Sequence, residues 1–269
     1  MAESMTEKTG ILLVSFGTSY PGAQVALDHI DREVKKTFPG IEVRWAFTSA
    51  IIRNKLKKQG RCVDSPAEAL AGMGSEGFTR IAVQSLHIIP GEEYENLQKT
   101  VDAFNRIPKT AQTVRLGKPL LYRHEDIVAV CGALEAILPP ERAPGDAVVL
   151  MGHGTSHPSN IYYPGVQYYL REQSPLYFLA TVEGYPGLNE LFPKLEEQQV
   201  KTVWLLPFLS VAGDHAQNDM AGGEPESWKS QLEAAGYTVK PVLKGLAEYD
   251  EMVHIWVNHL KEVLYEPEN

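Results

Sequence analysis

The stretch Ala147-Val148-Val149-Leu150-Met151-Gly152-His153-Gly154 joins a run of five apolar residues to a histidine between two glycines. Such a run predicts a strand that is buried on both faces of a parallel sheet. The glycines allow a sharp backbone turn, which leaves the imidazole bare at the end of the strand. Ligands bind at this end of the strands in open α/β sheets. For the motif taken alone, a histidine satisfied within its own turn is the alternative.

On both sides of this strand, apolar runs alternate with helical patterns. Further strands are predicted at 11–16, 43–47, 81–86, 113–116, 176–182, 202–208 and 238–242. Helical periodicity separates them, most clearly at 22–37, 92–105, 125–138, 160–172, 187–198, 225–235 and 249–264. This alternation is typical of right-handed crossovers in a parallel sheet. The predicted fold class is therefore α/β, with two domains that each contain a roughly four-stranded parallel sheet flanked by helices.

The best candidate for a linker is Pro139-Pro140-Glu141-Arg142-Ala143-Pro144-Gly145. Three prolines and a glycine cannot continue a helix, so this segment fits a boundary. We predict an N-terminal half at 1–139 and a C-terminal half at 145–269 that carries the metal ligands. The C-terminal helix could pack back on the N-terminal half.

The two predicted halves also resemble each other in sequence. The segment Leu13-Val14-Ser15-Phe16-Gly17-Thr18-Ser19 parallels Leu150-Met151-Gly152-His153-Gly154-Thr155-Ser156, and Pro90-Gly91-Glu92-Glu93 parallels Ala212-Gly213-Asp214-His215. This similarity indicates a duplicated half-domain. If two such domains face each other, their strand ends line one cleft, in which His153 faces the region of Phe16 and His215 the region of Glu93.

Three side chains of metal-ligand type follow predicted strands of the second half: His153, Glu183 and His215. Two imidazoles and one carboxylate suit Co²⁺, Ni²⁺, Fe²⁺ or Zn²⁺ and leave positions open for water or substrate. For Glu183, the alternative is to cap the helix predicted near 187. Asp214 and the pair Asn218-Asp219 could orient the imidazole of His215 or cap a short helix.

Two further residues are predicted at the ends of strands in the first half. Glu93 matches His215 in the repeat and is the best candidate among its neighbours to reach the cleft, whereas His87 is interpreted as structural. Arg53 begins a basic cluster that could receive carboxylates of an anionic ligand.

Composition and missing signatures exclude several classes of function. The chain has 269 residues and a net charge of −9, which argues against non-specific binding to nucleic acid or an anionic membrane. No apolar run approaches the ~18 residues of a membrane helix. Neither a phosphate-binding loop with its lysine nor a dinucleotide-binding glycine pattern is present, so no nucleotide cofactor is expected. The polar start lacks the centre of a signal peptide, which predicts a cytoplasmic protein, or a periplasmic one if the chain is trimmed.

The motifs together resemble those of the anaerobic sirohydrochlorin cobaltochelatases, which belong to the class II, ferrochelatase-like chelatases. The resemblance runs over nearly the whole chain and rests on the following motifs: Ser15-Phe16-Gly17-Thr18-Ser19-Tyr20, Ala46-Phe47-Thr48-Ser49, Gln84-Ser85-Leu86-His87-Ile88-Ile89, Met151-Gly152-His153-Gly154 and Val211-Ala212-Gly213-Asp214-His215-Ala216 with Asn218-Asp219-Met220. The resemblance implies a chelatase fold of two α/β domains related by a pseudo-twofold axis, with the tetrapyrrole in the cleft between them. It also implies that His153 and His215 bind the metal and that Glu93 lies in the cleft. On this resemblance, the predicted catalytic residues are His153, His215 and Glu93. Glu183 is added as a ligand from its position at a strand end.

The function that this resemblance implies is insertion of Co²⁺ into sirohydrochlorin, or its oxidised precursor form, in cobalamin biosynthesis, with removal of two pyrrole protons. Fe²⁺, Ni²⁺ or Zn²⁺ could substitute for cobalt. The expected partners are the tetrapyrrole and the divalent metal, and a homo-oligomer is compatible with the sequence. The alternatives are an iron or nickel chelatase, a non-catalytic carrier of tetrapyrrole or metal, and a metal-dependent hydrolase.

Overall fold

The computed structural model describes residues 7–108 and 110–265. Its strands follow the predicted apolar runs. They are β1 (Thr9–Ser15), β2 (Glu42–Phe47), β3 (Arg80–Ser85), β4 (Thr113–Gly117), β5 (Ala147–Gly152), β6 (Tyr177–Thr181), β7 (Thr202–Pro207) and β8 (Thr238–Pro241).

Helices connect these strands. They are α1 (Gln24–Thr37), α2 (Ala50–Lys58), α3 (Pro66–Ser75), α4 (Glu92–Phe104), α5 (His124–Ile137), α6 (Tyr162–Gln173), α7 (Phe192–Glu197), α8 (Trp228–Ala234) and α9 (Asp250–Tyr265). The predicted helix at 187–198 is interrupted, because a short 3₁₀ turn at Leu188–Glu190 precedes α7. Across the described residues, every helix is too short or too polar to span a bilayer.

The strands form two parallel sheets of four, in the orders β2-β1-β3-β4 and β6-β5-β7-β8. The predicted α/β class with two four-stranded parallel sheets is confirmed. In each sheet the first strand lies in the centre, so its carboxyl end is flanked by two neighbouring strand ends. This arrangement is the one in which parallel α/β sheets bind ligands.

Burial of apolar side chains positions the strands that matter for the site. Every residue of β5 is buried, as the apolar run predicts for a strand covered on both faces. One side of its sheet packs against residues from α7, α8 and the turn after β7, including Leu195, Leu232 and Met220. Exposure of β8, by contrast, fits its place at the sheet's edge.

The internal repeat of the sequence is matched by equivalent backbone hydrogen bonds in the two sheets. The Leu86 N–H donates to the Val14 carbonyl at 2.8 Å, and the Phe208 N–H donates in the same way to Met151 at 2.7 Å. The Ser49 N–H donates to the Phe16 carbonyl oxygen at 3.2 Å. The equivalent bond in the second sheet runs from the Glu183 N–H to the His153 carbonyl oxygen at 2.8 Å. Phe16 and Ser49 thus occupy, in the first sheet, the backbone positions of His153 and Glu183 in the second.

Contacts between Cα atoms divide the chain into two units whose bounds differ from the predicted halves. Of the described residues, the first unit contains those at 7–19, 31–120 and 254–265; the second contains Tyr20–Ile30 and Leu121–Val253. Helix α5 and the proline-rich segment at 139–145 therefore belong to the second unit rather than forming its boundary. The division of the strands is unaffected, since β1–β4 lie in the first unit and β5–β8 in the second.

Candidate metal centre

The candidate metal centre lies in the second unit, at the carboxyl end of β5. His153 follows the last residue of that strand, and the chain turns at Gly154, whose φ is +80°. A Cβ atom added to Gly154 would lie 2.4 Å from the backbone nitrogen of Gly184. Glycine is thus required here both by the left-handed backbone and by the close approach of the loop that carries Glu183.

The turn fixes which nitrogen of His153 can bind a ligand. Its Nδ1 atom lies 2.8 Å from the Gly154 carbonyl oxygen. Because that oxygen only accepts, Nδ1 carries the hydrogen and Nε2 keeps its lone pair. This bond partly agrees with the alternative of a self-satisfied turn histidine, but it leaves Nε2 available.

Tyr163 supports the same turn from α6. A Cβ atom at Gly152 would lie 2.6 Å from the Tyr163 ring, so the absent side chain makes room for the aromatic ring. Burial raises the pKa of Tyr163 to about 12, although hydrogen bonds from the backbone of Gly154 and His153 act in the opposite direction. Its hydroxyl therefore stays protonated at neutral pH beneath the turn.

Glu183 lies two residues beyond β6, beside His153. Its backbone N–H donates to the His153 carbonyl oxygen, which continues the pairing of the two strands past their ends. The alternative role as a helix cap is wrong, since the Gly187 N–H is capped by Glu190 at 2.8 Å. The Glu183 side chain is 58% exposed.

His215 follows β7 and opens a π-helical turn, Ala216–Met220. Its Nδ1 atom lies 2.6 Å from Oδ2 of Asp219, so Nδ1–H donates to the carboxylate and Nε2 is again left as the ligand atom. A carboxylate behind a ligating histidine fixes its tautomer and the orientation of its ring. Of the acidic residues that the sequence offered for this role, Asp219 makes the contact with the imidazole, while Asp214 bonds elsewhere.

The three predicted ligands are brought together. One ligand atom each from His153, Glu183 and His215 lies within 4.8 Å of the others. The two imidazole rings meet edge to face, with centroids 4.5 Å apart, and Nδ1 of His153 lies 3.8 Å from Oε2 of Glu183. All three side chains are partly exposed. The group can hold a divalent cation of the N/O-binding class and leave coordination positions open.

The remaining predicted site residues lie in the first unit. Glu93 is half-buried in the first turn of α4, which Gly91 caps. The guanidinium of Arg53 donates to the carbonyl oxygens of Phe47 and Thr48, at 2.5 and 2.7 Å. These bonds hold Arg53 against the end of β2. A carboxylate could bind to the remaining N–H groups of its guanidinium.

His87 agrees with its structural interpretation. Its Nδ1 atom lies 2.9 Å from the Ser85 hydroxyl, and burial lowers the pKa of the imidazole to about 4. The ring is neutral at pH 7 and holds the turn that follows β3.

Sequence reasoning missed Tyr20 as a part of this site. The Tyr20 hydroxyl lies 2.6 Å from Oδ1 of Asp214, directly before His215. The available signal was its place at the end of the quoted motif Ser15–Tyr20, but no pattern predicts a contact between residues 194 positions apart.

Comparison with protein families identifies a match over nearly the whole chain. The family described as "Cobalt chelatase (CbiK)" matches residues 9–265. Similar curated proteins include the sirohydrochlorin cobaltochelatase CbiKC of Nitratidesulfovibrio vulgaris, 47% identical over 95% of this chain and 90% of the relative. The sirohydrochlorin cobaltochelatase of Salmonella typhimurium is 36% identical over 96% of this chain and 97% of the relative.

Solved structures agree on the fold. SirB from Bacillus subtilis with Fe³⁺ has a TM-score of 0.60 at 20% identity and covers 96% of each chain. The sirohydrochlorin chelatase SirB in complex with cobalt, from Bacillus subtilis subspecies spizizenii, has a TM-score of 0.57 at 18% identity and covers 97% of each chain. At these identities the likeness shows the fold alone, and it confirms the predicted chelatase fold with two four-stranded parallel sheets.

Proposed function

The chain belongs to the cobalt chelatase (CbiK) family, and from this premise we propose that it is a sirohydrochlorin cobaltochelatase that inserts Co²⁺ into the tetrapyrrole. One observation supports the proposal: one ligand atom each of His153, Glu183 and His215, which lie on the segments that follow three adjacent strands, lies within 4.8 Å of the others. Two imidazoles and a carboxylate bind Co²⁺ well, and their partial exposure lets a large ligand approach the ion.

The metal is the substrate in this reaction, so the site must bind it and then release it. We propose that Nε2 of His153, Nε2 of His215 and the Glu183 carboxylate take the ion from water. An incomplete set of protein ligands leaves coordination positions to which pyrrole nitrogens can bind before the protein ligands leave. A closed site of four cysteines would hold the ion too tightly for such a transfer.

Insertion also requires two acceptors for the pyrrole protons. His215 suits one of them, because Nε2 is freed when the ion passes to the macrocycle and Asp219 stabilises the imidazolium that results, across the 2.6 Å contact at Nδ1. Glu93 is the second candidate acceptor, from its place in the internal repeat. Neither transfer needs a redox or nucleotide cofactor.

Membership of this family also suggests which other metals compete for the site and what Arg53 binds. We propose that Fe²⁺, Ni²⁺ and Zn²⁺ compete for the ligand set, because imidazole and carboxylate ligands accept all of these ions and affinity alone discriminates weakly between them. Carboxylates of the tetrapyrrole side chains are the anionic groups that Arg53 could bind. We also retain the cytoplasm as the proposed compartment.

An anaerobic optical titration tests the function. Purified protein is mixed with an excess of sirohydrochlorin and Co²⁺, and the shift from the free to the metallated spectrum is compared with a control without protein. Conversion of many equivalents per chain is expected, and parallel assays with Fe²⁺ and Ni²⁺ rank the metals. A shift that stops at one equivalent would indicate a carrier instead. No acceleration over the control, together with ester hydrolysis in the presence of metal, would favour a hydrolase.

A further inference from the structure

Tyr20 is linked by hydrogen bonds to the turn that carries His215. It follows the motif Ser15–Ser19 and belongs to the second unit, as His215 does. Its hydroxyl donates to Oδ1 of Asp214 at 2.6 Å and accepts from the Asn218 side-chain amide at 3.0 Å. The same amide donates to Asp214 at 3.1 Å, which closes a ring of three side chains.

Two members of this ring flank His215 in the sequence of the turn. Asp214 lies directly before His215, and Asn218 lies within the π-helical turn Ala216–Met220 that follows it. Side chains on both sides of His215 are therefore tied to one point outside the turn. Asp219, which orients the imidazole, is the next residue after Asn218, so the ring also limits where that carboxylate can lie.

Hydrogen bonds from Tyr20, which lies outside the π-helical turn, can stabilise that turn. Its widened hydrogen-bond pattern is rare and costly compared with an α-helix, and such turns occur mostly at functional sites. Because Asp214 and Asn218 are themselves exposed, water competes with their bond to each other. The Tyr20 hydroxyl joins them from a separate segment, and its bond to Asp214 also raises the pKa of the phenol, so the donor is retained at neutral pH.

We propose that Tyr20 is a positioning residue for the metal substrate: with Asp214 and Asn218 it holds the His215 turn in the geometry that binds Co²⁺. The inference rests on the proposed function only in the identity of the ion. Removal of the hydroxyl should weaken Co²⁺ binding without affecting the binding of the tetrapyrrole.

The variants Tyr20→Phe, Asp214→Ala and the double variant form the test, with Tyr168→Phe on the exposed face of α6 as the matched control. Co²⁺ binding is measured without tetrapyrrole, from the visible absorption of the bound ion. Tyr20→Phe should raise the Co²⁺ dissociation constant by about 3- to 10-fold, less than the loss of a direct partner of a ligating histidine. The double variant should be no weaker than the more affected single variant, and Tyr168→Phe should match the wild type.

Steady-state insertion supplies the second readout. The KM for Co²⁺ should rise in Tyr20→Phe while the KM for sirohydrochlorin stays unchanged. If Tyr20→Phe does not fold, Asn218→Ala removes a donor from the same ring and should have the same effects. A Co²⁺ dissociation constant and absorption bands equal to those of the wild type, even with a lower melting temperature, would overturn the proposal. Wild-type Co²⁺ binding without turnover would contradict the proposed function and leave this test intact; a wild type that binds no Co²⁺ would contradict both.

Discussion

Nδ1 of His215 donates to a carboxylate oxygen of Asp219 at 2.6 Å, four residues further along the same turn. This relationship determines what His215 can do. With its hydrogen committed to Asp219, the imidazole presents Nε2 as a lone pair to a cation, and the same carboxylate stabilises positive charge on the ring after the cation has left. Under the proposed function, metal binding and proton acceptance are two states of this one pair.

Asp219→Ala should weaken Co²⁺ binding about 10- to 100-fold, because it removes the partner that fixes the tautomer and orientation of a ligating histidine. Asp219→Asn should be intermediate, since the amide oxygen can accept from Nδ1 but carries no charge. Titration of Co²⁺ without tetrapyrrole measures both effects. Asp102→Ala, on the exposed side of α4, is the control for loss of a carboxylate. Wild-type affinity in Asp219→Ala would show that the contact does not contribute to binding.

His153→Ala should abolish metal insertion and leave the fold intact, because its side chain is 41% exposed and lies outside the buried strand β5. Glu183→Gln should retain the shape of the site but bind Co²⁺ more weakly, since it loses the negative ligand. Insertion rates and melting temperatures are compared with those of His254→Ala, which removes an exposed histidine from α9. Near-normal insertion by His153→Ala would refute its assignment as a ligand.

Much of the fold and the main cluster followed from local patterns in the sequence. The run at 147–151 predicted a fully buried central strand, and His153 and Glu183 lie just beyond the ends of their strands. His215 lies further along the chain, in the helical turn that comes after the loop following β7. These features depend on neighbouring residues, which is why apolar periodicity and glycine positions reveal them. The chemical types of His153, Glu183 and His215 then restricted the ligand to a divalent cation.

What the sequence could not predict depends on contacts between distant segments. The unit boundaries follow contacts that separate Tyr20–Ile30 from the rest of the first half, and no composition change marks them. Asp219 contacts His215 because it lies four residues further along a helical turn, whereas Asp214 is adjacent in sequence and bonds to Tyr20. No helix was predicted at 216–220, so this spacing did not decide between the two carboxylates. The helix predicted at 187–198 begins only at Phe192, because a separate 3₁₀ turn at Leu188–Glu190 precedes it. Glu190 accepts a hydrogen bond from the Gly187 N–H at the start of that turn.

Gly154→Ala should damage both stability and metal binding. Its φ of +80° already disfavours a side chain, by about 1 to 2 kcal/mol, and the new Cβ would lie 2.4 Å from the Gly184 nitrogen. The Glu183 loop must then move away from His153. Gly236→Ala is the matched control, because Gly236 has a φ of +93° but nothing within 4 Å of the added atom. Urea unfolding and Co²⁺ titration should show that both variants lose stability, whereas only Gly154→Ala loses affinity; equal affinity in the two variants would contradict the role of the close approach.

Stability should depend on pH through His87. Burial lowers the pKa of His87 to about 4 from 6.5, so between these values the unfolded chain binds a proton that the folded chain does not. Unfolding free energy therefore rises with pH across this interval, and the contribution of His87 is complete above pH 6.5 and lost as the pH falls toward 4. The difference corresponds to about 3 kcal/mol at most.

His87→Asn keeps an acceptor for the Ser85 hydroxyl but does not titrate, so its unfolding free energy should fall less steeply than that of the wild type between pH 7 and 4.5. Carboxylates and the other histidines contribute equally to both proteins, and the difference between the two slopes isolates His87; identical slopes would mean that its imidazole titrates in the folded protein as it does in water.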